Sequence, residues 1–565
     1  VEARVWHKSY EPEVRPSIDY PQVPVYQFVY DSASKRPDGT AIIFFNRKFT
    51  YRWLKDQVDK FATAMTAMGV KKGDRVAIML PNCPQVVIAY YGALRAGATV
   101  VLTNPMYVDR ELEFQMNDSG AETIVILDHL WPRLDKVRAK TPLKRLIIAG
   151  MAEYMPFPLS ALYPIKARRD KLVVGVQPGS GAIAFKDLVA KYAAAPSAVT
   201  HDLGGDAAVL QYTGGTTGTA KGAVLTHKNL VANVMQCREW FHKSRWGEEV
   251  MVGALPLFHS YGMTSVMNMA TFLGSSMILL PRFVVKDVLE NIQRHKATIF
   301  CGAPTMYVAC NNYPEIKKYN LKSIESCISG SAALMAETQN KFQEITQGKL
   351  VEGYGLSEST PVTHANPIWG KGRIGSIGLP VPDTDAKIVD LETGQRDLPP
   401  GEVGELVIKG PQVMKGYWNR SDETAKTLRD GWLYTGDIAK MDEEGYFYVV
   451  DRKKDMIIAG GFNIYPRDVE EILFEHPKVL EAAVAGVPDP YRGETVKAYV
   501  ILKPGETATP EEIIQFCRDH MAAFKAPRQV EFRTSLPKTI VGKVLRRVLV
   551  EEEKVKLAKE GEGIA

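Results

Sequence analysis

A chain of 565 residues is too long for one core, and with 45% hydrophobic and 24% charged residues it has the composition of an ordinary soluble globular protein of roughly two to four domains. Its net charge of +5 argues neither for nor against nucleic acid and offers anionic cofactors a mildly favourable field. The six cysteines (Cys83, Cys237, Cys301, Cys310, Cys327, Cys517) are scattered, with no CxxC pair and no His/Cys ligand spacing, which excludes a structural zinc and suits a reducing compartment.

Val1 to Tyr20 is charged, aromatic and proline-rich, without the apolar block of a secretory signal. Residues 24–70 read as an opening helix, a strand pair around Ala41–Phe45, and a helix Trp53–Met68 ending at Gly69. Arg75–Leu80 reads as a buried strand, followed by a helix through Tyr90 to Ala96. The alternation continues through a strand at Thr99–Leu102, a helix around Glu111–Asp118 and a strand at Thr123–Leu127. A helix near Leu134–Ala139 and a strand at Arg145–Ala149 complete this block. Such alternation predicts a parallel, doubly wound sheet. Tyr154 to Ile165 is aromatic, apolar and broken by prolines, and the run to Lys171 adds four cations. This stretch suits either an anionic lipid surface or a loop packed on the body with a solvated end.

The αβ rhythm resumes from Ala207 to about Leu350, with strands expected at Met277–Leu280, Ile299–Cys301 and Glu325–Ser329. Val250 to Pro281 carries no Asp, Glu, Lys or Arg and is long enough to cross a bilayer. Pro256, His259 and Asn268 break it, so a buried strand–loop–helix unit is expected instead. After residue 370 glycine and proline rise and short β runs appear at Ala386–Val389, Gly404–Lys409 and Tyr446–Val450, the texture of a small β-barrel or sheet module. Residues 451–461 read as a hinge. Beyond them lies an α+β block: helix Pro466–Glu475, strands Glu481–Val487 and Thr495–Leu502, helix Glu511–His520, and a basic tail.

The chemistry concentrates at Tyr212-Thr-Gly-Gly-Thr-Thr-Gly-Thr-Ala-Lys-Gly222. Its glycines let backbone N–H groups approach oxygen, its hydroxyls donate and Lys221 adds charge, so it suits a polyphosphate. The common NTPase loop would need Gly at position 220 and Ser or Thr at 222, where this chain has Ala220 and Gly222. A second, third and fourth island follow at Leu255-Pro-Leu-Phe-His-Ser-Tyr-Gly262, Gly353-Tyr-Gly-Leu-Ser-Glu358 and Tyr434-Thr-Gly-Asp437. Three more lie at Asp451-Arg-Lys-Lys-Asp455, Gly460-Gly-Phe-Asn-Ile-Tyr-Pro466 and Pro537-Lys-Thr-Ile-Val-Gly-Lys543. In this order, and over about residues 24–547, they resemble the adenylate-forming, acyl-CoA synthetase superfamily. Thr103–Tyr107, Glu111–Gly120, Gly410–Trp418 and the stretch at 154–165 make the chain most similar to the medium- and long-chain fatty acid–CoA ligases.

The resemblance implies an α/β fold: an N-terminal domain over 1–450 of two doubly wound subdomains plus a small β-barrel, a hinge at 451–455 and a mobile α+β domain over 456–565. It implies ATP, coenzyme A and Mg2+, and a two-step reaction in which a fatty acid becomes an acyl-adenylate and then a thioester. Lys221 with Thr213, Gly214, Gly215, Thr216, Thr217 and Gly218 is expected on the phosphates. Glu358 and Thr213 are expected at the metal, with Ser357 beside them. Adenine is expected against Tyr354, with Gly330, Ser331, Ala332, Glu352, Gly353 and Gly355 around it, and ribose at Asp437 and Arg452. Lys543 is expected to bridge carboxylate and α-phosphate, acting by position and charge, because an ionised carboxylate needs no base.

For the second step the resemblance points to Lys454 as pivot, Gly460 and Gly461 as a slot for pantetheine beside Phe462, and His259 where the acyl and pantetheine channels meet. The acyl gate of relatives, a bulky aromatic, is here Met263. The resemblance implies a cytoplasmic enzyme without nucleic acid, and leaves peripheral contact with the inner membrane face and a homodimer open. Competing readings are an aryl-CoA ligase, a ligase passing acyl-AMP to a carrier protein, and a lipid- or nucleotide-binding protein without catalysis.

Overall fold

The computed structural model describes residues 4–177, 179–213, 220–453, 455–459, 462–489, 493–539, 542 and 544–562. Two compact units emerge, one of Val1–Asp385 with Lys409–Leu433, the other of Ala386–Ile408 with Tyr434–Ala565. The chain thus divides within the β-rich stretch, and residues 434–450 belong to the same unit as 451–455.

In the first unit, the short β-branched runs form the middle of an eight-stranded sheet. Its order is Gly416–Tyr417, Lys221–Thr226, Ala207–Thr213, Thr99–Leu102, Arg75–Met79, Thr123–Leu127, Arg145–Ala149 and Ile183–Ala184. From Ala207–Thr213 onward every pair is parallel. Thr99–Leu102 and Thr123–Leu127 are buried throughout, as strands covered by helices on both faces must be. The other edge departs from that rule: Lys221–Thr226 returns antiparallel to Ala207–Thr213, and Gly416–Tyr417 pairs antiparallel beyond it.

A second layer orders Val250–Gly253, Ser276–Leu279, Thr40–Phe44 and Arg47–Thr50. A third orders Ser326–Ser329, Lys349–Gly355, Val362–Ala365 and Leu379–Pro380. Ile299 bridges Met251 and Ser326 and so links the two. The run at 299–301 pairs through isolated parallel bridges, Ile299 with Met251 and Ser326 and Gly302 with Ser329, in place of a continuous strand. The uncharged stretch resolves into strand Val250–Gly253, a helical segment from Ser260 to Phe272 and strand Ser276–Leu279. Among the described residues no helix is long and apolar enough to cross a membrane. The proline-broken stretch is helical from Leu159 to Arg169, with Pro164 inside it.

The second unit holds strand Phe447–Arg452, strand Gly404–Lys409 as far as Ile408, and strand Trp432–Met441 from Tyr434 onward. It also holds a sheet ordered Phe462–Ile464, Ile457–Ala459, Gly493–Leu502, Val479–Asp489, with Gln529–Phe532 added parallel to Gly493–Leu502. Helices Pro466–Glu475 and Pro510–His520 bury Val469, Leu473, Ile513 and Cys517 against that sheet. The last helix, Arg546–Glu562, is tied down by the buried ammonium of Lys497, 2.6 Å from Glu553 and 2.8 Å from Glu531.

Candidate active site

The strands on either side of the Gly/Thr-rich segment pair antiparallel, with Thr213 and Lys221 as their last register pair. Gly214, Gly215, Thr216, Thr217 and Gly218 lie outside the described residues. The stem is held firmly. Tyr212 donates to Asp118 at 2.7 Å, Arg420 donates to the other oxygen of that carboxylate at 2.7 Å, and Trp418 N–H donates to Gly222 O at 2.8 Å. Burial, then the Asp118 charge, raises the Tyr212 phenol above its ordinary range, so it remains a donor.

Strands Ala207–Thr213 and Lys221–Thr226 both pack on the turn Ser357–Ser359, which carries Glu358. Tyr417 links the two. It lies opposite Ala223 in register, its hydroxyl donates to Glu358 Oε1 at 2.8 Å, and Lys221 Nζ lies 5.3 Å from its ring centre. Lys221 also pairs with Glu423, whose carboxyl it holds below the ordinary range. Met414 N–H donates to Glu358 O at 2.8 Å. Neither Tyr417 nor Glu423 was expected at the site; the motif Gly410–Trp418 was the signal for the first, and nothing in composition marks the second.

Glu358 Oε2 has no hydrogen-bond partner among the described residues, and Thr213 Oγ1 lies 3.5 Å from Lys221 O. A half-buried carboxylate and a hydroxyl are hard oxygen donors, so the residues present fit a magnesium ion.

The second island is joined to the same turn. Ser260 Oγ lies 3.3 Å from Ser357 Oγ, Thr264 donates to Thr360 O at 2.6 Å, and Gln211 donates to Phe258 O at 3.3 Å. His259 caps the helical segment, its Nδ1 accepting from Tyr261 N–H at 3.2 Å. Burial lowers its pKa to about 4, so the ring is neutral near pH 7 and carries its proton on Nε2. Met263 is fully buried and opens a π-helical turn, Met263–Asn268. Such turns frequently mark functional sites.

Gly330, Ser331 and Ala332 follow strand Ser326–Ser329, which runs parallel to Lys349–Gly355 with Ser329 opposite Glu352. The expected adenine residues therefore come together at the ends of two neighbouring strands. Glu352 is buried and accepts from Leu334 N–H at 2.9 Å, which pins the 330–334 loop. Close backbone approach explains Gly355, where a Cβ would lie 1.9 Å from Pro361 O. Ser331 has φ +78, a left-handed backbone that few residues other than glycine adopt readily.

In the second unit, Asp437 and Arg452 are register partners on antiparallel strands, with Nε 3.2 Å from Oδ1. Lys454, Gly460, Gly461 and Lys543 lie outside the described residues, and of Phe462 the backbone in Phe462–Ile464 is described. Around them, Lys453 donates to Glu405 at 3.1 Å, and Lys538 bridges Val544 at the base of the segment that contains Lys543.

The chain matches the family described as AMP-binding enzyme over residues 29–418 and its C-terminal domain over residues 468–543. It is 49% identical over 549 residues to a long-chain-fatty-acid–CoA ligase of Bacillus subtilis, covering 97% of this chain and 98% of that protein. It is 39% identical to a long-chain-fatty-acid–CoA ligase of Yersinia pestis, covering 97% and 98%. Among solved structures, ATP-bound MatB from Rhodopseudomonas palustris matches with a TM-score of 0.82 at 30% identity, covering 94% of this chain and 99% of that one. With a match across most of its length and relatives aligned nearly end to end, the chain belongs to the AMP-binding, adenylate-forming enzyme family.

Proposed function

We propose that this chain is a long-chain fatty acid–CoA ligase that works through an acyl-adenylate. The fatty carboxylate attacks the α-phosphorus of ATP and expels pyrophosphate; the thiol of coenzyme A then attacks the acyl carbon and expels AMP. The observation that carries this reading is Tyr417, whose hydroxyl touches Glu358 and whose ring lies below Lys221. A cation and a carboxylate within one side chain's span suit a polyphosphate and a divalent ion, not an apolar ligand alone. Near-full-length identity to long-chain ligases supplies the substrate class.

Lys221 with the hydroxyls of Thr213, Thr216 and Thr217 takes the β- and γ-phosphates, and Glu358 with Thr213 would hold magnesium. That ion, when bound, cancels the phosphate charge that repels an incoming carboxylate. Tyr354 and the backbone of 330–332 and 352–353 take adenine; Asp437, helped by Arg452, takes the ribose hydroxyls. Lys543 spans carboxylate and α-phosphate. For the second step the C-terminal domain turns at Lys454, and the side-chain-free Gly460–Gly461 backbone beside Phe462 admits pantetheine. His259, neutral and fixed through Nδ1, orients the acyl group by donation from Nε2 rather than by proton transfer. The site of action is cytoplasmic, in keeping with six free, buried cysteines.

Fatty-acid-dependent exchange of labelled pyrophosphate into ATP tests the reading. Lys543→Ala is expected to lower that exchange by about 100-fold or more, the scale of a lost transition-state contact, while supplied acyl-AMP and CoA still give thioester. Equal loss of both half-reactions would overturn the assignment.

A further inference from the structure

The helix Leu159–Arg169 is held to the first unit by one side only. Ala167 is buried, and Tyr163 stacks on His129 with ring planes 11° apart and its hydroxyl 3.2 Å from Nε2. The segment after it is tethered by Gly175 N–H, which donates to Asp128 at 3.0 Å. At about 100° per residue, Leu162 and Ile165 fall on the side opposite Tyr163 and Ala167. Arg169 lies between them, with Lys166 on one flank and Arg168 on the other.

This outer side should be polar on a surface helix, yet Leu162 is 53% and Ile165 65% exposed, and Phe157 just before the helix is 85% exposed. Leu159 and Leu172 extend the patch along the segment. Against four cations, Lys166, Arg168, Arg169 and Lys171, stands one carboxylate, Asp170, paired with Arg169 at 3.3 Å.

We propose that residues 157–172 form a docking surface for an anionic phospholipid bilayer, with Phe157, Leu162 and Ile165 entering the acyl boundary and the four cations facing the headgroups. An apolar face flanked by lysine and arginine is the pattern of a helix lying in the interface plane. The surface draws the enzyme to where long-chain acids dissolve. It therefore deepens the fatty-acid reading, while its own evidence is independent of catalysis.

Flotation of the full-length protein with vesicles of phosphatidylcholine alone, or with one third phosphatidylglycerol, tests the proposal. The protein is expected to float with the anionic vesicles and not with the neutral ones, and to lose binding as potassium chloride is raised. Lys166→Gln with Arg169→Gln should weaken partitioning by about fivefold per cation removed. Leu162→Ser with Ile165→Ser should abolish it at low salt too. Both double variants should keep the wild-type melting temperature and the wild-type rate on octanoate without vesicles. A wild-type protein that stays at the bottom of the gradient, or variants that float as it does, would overturn the proposal. Flotation without any fatty acid–CoA ligase activity would instead sink the fatty-acid reading and leave the surface standing.

Discussion

A phenol and an ammonium on neighbouring strands, Tyr417 and Lys221, make the centre of the proposed phosphate site. Burial, then Glu358, raises the Tyr417 phenol, so it donates to the carboxylate at any physiological pH. Histidines are where pH enters. His227 is buried and accepts from Val25 N–H at 3.3 Å, and burial lowers its pKa to about 3. Its folded pKa lies below the unfolded value of about 6.5. The stability this neutral ring contributes is therefore complete above pH 6.5 and lost as pH falls toward 3. His227→Gln should reduce the slope of unfolding free energy between pH 6 and pH 4 by about 1.4 kcal/mol per pH unit. Urea titrations at three pH values check it.

At the scale of elements, the helical segment from Ser260 to Phe272 carries the proposed acyl side of the site. Gly262 is required there because a Cβ would stand 2.2 Å from Pro256 O. The next residue, Met263, begins the π turn with its side chain fully buried. Enlarging it should shorten the space open to an acyl chain. Met263→Trp should shift the preference toward shorter acids, changing relative kcat/KM by about fourfold for each methylene excluded, the equivalent of about 0.8 kcal/mol. Competition assays from octanoate to palmitate measure the shift, and an unchanged profile would remove Met263 from the gate. Because one methylene is worth only about 0.8 kcal/mol, discrimination between neighbouring lengths should be shallow.

On the scale of the whole molecule, two-step chemistry needs a C-terminal domain that is stable in itself. Arg546 provides an internal tie. Its guanidinium meets Glu470 at 2.6 Å, Asp455 at 3.4 Å and Asp451 at 3.8 Å, and burial raises the carboxyls of Glu470 and Asp451. Removing the cation strands those carboxylates, so Arg546→Met should cost about 3 kcal/mol. Glu470→Leu added to it should return part of that loss, read as the urea midpoint. Gly461→Leu, by contrast, should spare pyrophosphate exchange and cut thioester formation by about 100-fold or more, as misplacement in a catalytic channel does. Equal rates in the second half-reaction would remove the glycine slot from the proposal.

Strand and helix positions were legible because they rest on local rules. Parallel strands buried on both faces leave uninterrupted runs such as Thr123–Leu127, and Pro466 opens its helix where a missing N–H costs nothing. Lys221 stood out because its Gly/Thr-rich loop suits a polyphosphate, whereas Glu358 and Asp437 were expected through the family resemblance of the motifs that contain them. What the linear order could not contain was pairing. The antiparallel return of Lys221–Thr226, Tyr417 brought beneath Lys221 from almost two hundred residues away, and Arg546 gathered among three carboxylates are long-range contacts with no local pattern. The same holds for the outward-facing Ile165. Residue order declares an apolar side chain, but only packing against its neighbours decides whether water or protein covers it.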